Sequence, residues 1–144
     1  MDITRKYEDV KLSCPIIRIT QDEMMQLQDF VDRVCEEKQK EQHYVIDHSK
    51  LKKRYMTGMQ GELAVYKVLG HSIKDMDLSV GRAEKYFHAD LSTIGYKAGV
   101  KTVEKGKAPV VFKRSYYGEI ICVIEGANEV RVCGYASPDV LKTY

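Results

Sequence analysis

Residues Ser49 to Leu69 read SKLKKRYMTGMQGELAVYKVL, and how this stretch sits as a helix sets the rest of the fold. Ser49 suits an N-cap and Gly70 a C-terminal stop, so one helix is expected across the segment. With about 100° per residue and Leu51 at zero, Leu69 falls at about 0°, Tyr55 at about 40°, Tyr66 at about 60° and Met59 at about 80°. Glu62 falls at about 20°, inside that apolar stripe, while Lys53, Gln60 and Lys67 lie opposite, at about 160–200°. Burying an unpaired carboxylate costs several kcal/mol, so the site should offer Glu62 a metal, a cation or hydrogen-bond donors. An arginine partner, or the capping of a neighbouring element, would also satisfy it. Gly58 and Gly61, beside it, let another backbone come close.

Upstream, Thr20 and Glu23 form a capping box, and Leu27, Phe30, Val31 and Val34 follow at helical spacing. This predicts an amphipathic helix from 21 to about 40 with a solvated tail, preceded by an edge strand around Ile16 to Ile19. From about Asp77 the pattern changes to β-rich segments: Phe87 to Leu91, Tyr96 to Val103, Val110 to Lys113, Ile120 to Ile124 and Glu129 to Gly134. Gly126-Ala127-Asn128 suits a hairpin turn, and Ser137-Pro138-Asp139 opens a short last helix. The order predicts an α/β (α+β) domain with a mixed central sheet of about four to five strands flanked by helices. A single domain over 1–144 is expected, with 1–48 as a strand and helix extension that covers a core at 49–144.

The 144 residues, 16.5 kDa, fit one compact domain, and 44% hydrophobic with 31% charged residues allows a core and excludes a disordered or fibrous chain. Lys+Arg 23 against Asp+Glu 21 is too even for global charge to select a polyanion, so any nucleic-acid contact must rest on local placement. The sequence shows neither a signal-like start nor an apolar run of about 18–20 residues, so a cytoplasmic location, or the cytoplasm of a host, is expected. Cys14, Cys35, Cys122 and Cys133 make no CxxC pair, and His43, His48, His71 and His88 complete no zinc spacing with them.

Asp90 ends the segment Phe87-His88-Ala89-Asp90. If Leu91 pairs with Tyr96, strand alternation places His88, Asp90, Lys97, Gly99 and Lys101 on one face. An acid and a lysine then share a surface, which is either a solvated hairpin face or a site.

In order, Gly61-Glu62 in a helix, the Asp90 segment, the strand Val100-Lys101-Thr102, two further strands and the ending from Val132 to Asp139 resemble the PD-(D/E)xK nuclease superfamily over about residues 55–140. The resemblance implies a restriction-endonuclease-like core and a Mg²⁺- or Mn²⁺-dependent DNA endonuclease. Glu62 matches the helical acid, Asp90 the main metal ligand and Lys101 the lysine that assists the attacking water, with the Val100 carbonyl and Glu62 completing the metal shell. Gly99 stands where the motif has its second acid. His88 and Glu104 are the candidates to support that position, although parity puts Glu104 on the face away from Lys101. The alternative implied by Gly99 is a catalytically inactive nuclease-like module that binds nucleic acid or a protein partner. For a DNA substrate the phosphate grips are Lys52, Lys53 and Arg54 at the start of the second helix and Lys105, Lys107, Lys113 and Arg114 on the strand connections. Double-strand cleavage by a chain with one site implies a homo-oligomer, a dimer in the simplest case.

Overall fold

A computed structural model describes residues 14–41, 48–79, 89–107 and 117–143. Among them, β1 (Ile16–Arg18), β2 (Ala98–Glu104), β3 (Gly118–Gly126) and β4 (Glu129–Ala136) form one mixed sheet in the order β1-β4-β3-β2. β1 and β3 run antiparallel to β4, and β2 runs parallel to β3. The helices are α1 (Gln21–Glu41), α2 (His48–Val68) and α3 (Pro138–Thr143). None of the described helices is long and apolar enough to cross a membrane. The expected strand at Val110 to Lys113 lies outside the described residues.

The helix ends follow from their sequences. The Thr20 hydroxyl accepts from the Glu23 N–H at 3.1 Å while the Glu23 carboxylate accepts from the Thr20 N–H at 2.8 Å, the reciprocal pair expected of a capping box. Glu23 also meets Lys67 at the far end of α2, tying the start of one helix to the end of the other. α2 stops at Gly70, whose φ of +84° lets its N–H reach the Lys67 carbonyl and the His71 N–H reach that of Tyr66. Its start differs from expectation: the helix already includes His48, so Ser49 lies within the first turn rather than at the cap. Ser137 caps α3, accepting from the Val140 N–H at 3.3 Å.

α2 is the central helix. One side lies on the sheet, where Leu63, Ala64 and Val65 pack with Val100, Ile120 and Val132, and another side meets Phe30, Val31 and Val34 of α1 through Leu51, Tyr55 and Met59. This double coverage explains why Gln60, on the polar side of the helical wheel, is buried: its amide donates to the Met24 sulfur of α1 at 3.3 Å. Gly61 allows α2 to sit this close, because a Cβ there would stand 2.8 Å from the Cβ of Thr102 on β2.

These contacts predict opposite outcomes for two neighbouring glycines. Gly61→Ala should destabilise the fold by about 1–3 kcal/mol despite the better helix propensity of alanine, since the new methyl overpacks against Thr102. Gly58→Ala, where nothing lies within 4 Å of the added carbon, should stabilise by about 0.5–1 kcal/mol. Chemical denaturation checks both, and shifts of the same sign would contradict the packing described.

Candidate functional site

A cleft of about 430 Å³ opens between α1, α2 and the β2 side of the sheet, and Glu62, Asp90, Val100 and Lys101 all line it. Side chains from α2, from the segment before β2 and from β2 itself therefore face one cleft. Glu62 comes from the third turn-pair of α2, on the flank between the side that packs on the sheet and the side that packs on α1. Its surroundings include Tyr55, Met59 and Tyr66 of the same helix and Phe30 and Val34 of α1.

Asp90 arrives differently from expectation. His88 and Phe87 lie outside the described residues, and Asp90 itself sits in a turn that runs into a 3-10 segment at Ser92–Ile94, not at the end of a strand. Gly95, with φ +87°, reverses the chain after that segment. The Leu91 N–H then bonds to the Ala98 carbonyl at 3.0 Å and the Tyr96 N–H to that of Leu91 at 3.1 Å, so the loop closes onto the start of β2. The decisive contact is Asp90 Oδ2, which accepts from the Val100 N–H at 2.7 Å. A carboxylate on a backbone donor is a strong, orienting bond, and here it fixes the acid against the strand that carries Lys101. Tyr66, buried on α2, holds the same turn through a side-chain hydrogen bond with Thr93.

Two carboxyl groups face each other across this turn. Burial, then the Asp90 charge and a side-chain hydrogen bond with Asp90, push the Glu62 carboxyl well above the usual range. Like charges held this close in a partly dry setting favour a shared proton or a cation.

A third acid, not anticipated from the sequence, belongs to the same neighbourhood. Glu119 on β3 is paired in register with Gly99 on β2 and is only 8% exposed. A Cβ on Gly99 would stand 2.8 Å from the Glu119 carboxyl carbon, so the Glu119 head group occupies the space where a side chain at 99 would sit. Its Oε2 is buried without a hydrogen-bond partner. Burial and the Asp90 charge, partly opposed by Lys101, raise its carboxyl to about 7. Strand alternation places Gly99, Lys101 and Glu119 on one face of the parallel pair.

Other candidates separate from this cluster. Glu104 is held by Lys53 at 3.0 Å and Lys107 at 3.1 Å, at the opposite end of β2 from Gly99, so it does not supply the second acid. Lys52 pairs with Asp32 at 3.2 Å and Lys105 with Glu125 at 3.2 Å. Such solvent-screened pairs contribute little and open readily toward a phosphate, but they do not aim the lysines at the cleft. Arg54 is the member of the basic set that lines the cleft. Lys113 and Arg114 lie outside the described residues. A second hollow of about 490 Å³, lined among others by Lys52, Lys53, Gln60 and Glu104, has neither Glu62 nor Asp90 on its walls.

Three carboxyls could offer oxygens to a divalent cation: Glu62, the backbone-anchored Asp90 that faces it, and Glu119 with its orphaned, buried oxygen. Among the described residues no three His, Cys, Asp or Glu side chains form a ready-made cage. Mg²⁺ is commonly held by one or two carboxylates, waters and substrate phosphates rather than by such a cage.

Comparison with protein-family models, with curated proteins and with solved structures finds no match to this chain.

The raised carboxyls make a prediction about pH. An acid whose folded pKa lies above its unfolded value binds its proton more tightly in the folded state, so its contribution is complete below the unfolded pKa near 4.5 and is lost as pH rises through about 7. Without added metal, thermal stability should therefore fall between about pH 5 and pH 8, and Glu119→Gln should flatten the decline. Melting curves across that range check this, and a wild-type profile that rises or stays level would contradict it.

Proposed function

We propose that this chain is a Mg²⁺- or Mn²⁺-dependent DNA endonuclease with a restriction-endonuclease-like core, as its resemblance to the PD-(D/E)xK superfamily implies. The single observation that supports this most is the convergence of Glu62, Asp90 and Lys101 on one cleft. A solvated hairpin face would not bring an α-helical acid to the same place.

In this reading Asp90 and Glu62 hold the cation, with Val100 beside them. A bound divalent ion would polarise the scissile phosphate and lower the pKa of a water molecule. The chain's own groups do the rest. The Val100 N–H keeps the Asp90 carboxylate fixed, which removes the cost of reorganising it during the reaction. The Lys101 ammonium orients the attacking water and balances negative charge that develops on the phosphoryl oxygens. Arg54, on the wall of the cleft, takes a neighbouring phosphate, and Lys52, Lys53, Lys105 and Lys107 extend the grip after exchanging their surface partners for phosphates. Cutting both strands calls for two copies of the chain. A cytoplasmic setting, that of a host for a viral chain, completes this reading.

The test is nicking of supercoiled plasmid in Mg²⁺ or Mn²⁺. Asp90→Asn keeps an oxygen for the Val100 N–H but loses the charge, and Lys101→Met keeps the stem but loses the ammonium. Each should lower the cleavage rate by about 10²- to 10³-fold with little change in melting temperature. Wild-type protein that leaves plasmid, linear duplex and single-stranded DNA intact with both metals would overturn the nuclease reading in favour of a non-cutting module that binds nucleic acid or a protein.

A further inference from the structure

The PD-(D/E)xK pattern asks for an acid two residues before the lysine, and this chain has Gly99 there. A missing ligand and a buried acid with nothing to bind are usually separate puzzles. Here one answers the other. Gly99 and Glu119 are register partners on adjacent parallel strands, and the Glu119 head group fills the space above Gly99. The oxygen it holds there is sealed from solvent and lacks a hydrogen-bond partner, a costly state for a carboxylate unless a cation or proton completes it. Asp90 and Lys101 are the charged groups that act on it.

We propose that Glu119, reaching from β3 across Gly99, is the second acidic ligand of the divalent cation held by Asp90. The acid has moved one strand over while its carboxylate stays at the end of β2 where the motif needs it. Gly99 is then a requirement of the site: any larger residue would collide with the migrated side chain. This inference rests on the reading of the cleft as a metal-dependent phosphodiesterase site, and it assigns a ligand that the sequence motif does not contain.

Mn²⁺ binding to the full chain, followed by the loss of the free-ion signal in electron paramagnetic resonance, reads the proposal without relying on cleavage. Glu119→Gln keeps the volume and should weaken Mn²⁺ binding by about tenfold or more, since even outer-shell partners of a metal are worth that much. A paired exchange, Gly99→Glu with Glu119→Gly, returns the acid to the motif position and removes the collision. It should recover binding to within a few-fold of wild type, and it keeps the test alive should Glu119→Gln fold poorly. Gly99→Glu alone should lower stability and fail to restore anything. If Glu119→Gln binds Mn²⁺ as wild type does while Asp90→Asn loses binding, Glu119 is not a ligand and the nuclease reading survives without it. An exchange variant that folds but binds no Mn²⁺ also counts against the proposal. If the wild type itself binds none, both fall together.

Discussion

The bond from the Val100 N–H to Asp90 Oδ2, 2.7 Å long, is the constraint on which the site depends. It joins a short turn to a β-strand at one point and thereby sets where the aspartate charge lies relative to Glu62 on one side and to Glu119 and Lys101 on the other. Without it the turn from Ala89 to Gly95 would be held by its backbone bonds to β2 and by Tyr66, and the carboxylate would be free to point to solvent. With it, an acid that is itself solvent-exposed becomes the hub for two acids that are not.

That arrangement runs against stability. A core that sought only to fold would not set the carboxyls of Glu62 and Glu119 within electrostatic reach of a third acid, nor leave Glu119 Oε2 unpaired. The surrounding structure absorbs the cost: α2 is packed on both the sheet and α1, and its end is fixed by the Gly70 stop and by the Lys67 and Glu23 pair. Groups kept in an unfavourable state by well-packed neighbours are typical of functional sites. The two acids in question come from the central helix and from a strand paired on both sides, which restricts their escape by local rearrangement.

Much of the framework was legible from local signals. The capping box at Thr20, the stop at Gly70, the hairpin turn before Glu129 and the cap at Ser137 each rest on a few adjacent residues, and the structure has them all. The mixed sheet flanked by helices follows from their order. Glu62 was legible because an acid breaks a helical stripe. The same kind of anomaly stood in Gly118-Glu119-Ile120-Ile121-Cys122, one acid in an apolar run, but its meaning depends on a parallel register between strands joined by residues 105–117, which no local pattern encodes. The turn at Asp90 was hidden for a related reason: Phe87 to Leu91 looks β-rich by composition, while Gly95 and the bond to Val100 bend its end away from a simple hairpin. Gln60 was misplaced because a wheel assumes one buried face and α2 has two.

The most direct measurement is anomalous diffraction from crystals of the wild-type chain grown with Mn²⁺. The account predicts a peak at bonding distance from the Asp90 carboxylate, next to the Val100 carbonyl. Well-ordered crystals with no peak at Asp90, or with the ion bound only elsewhere on the surface, would contradict it.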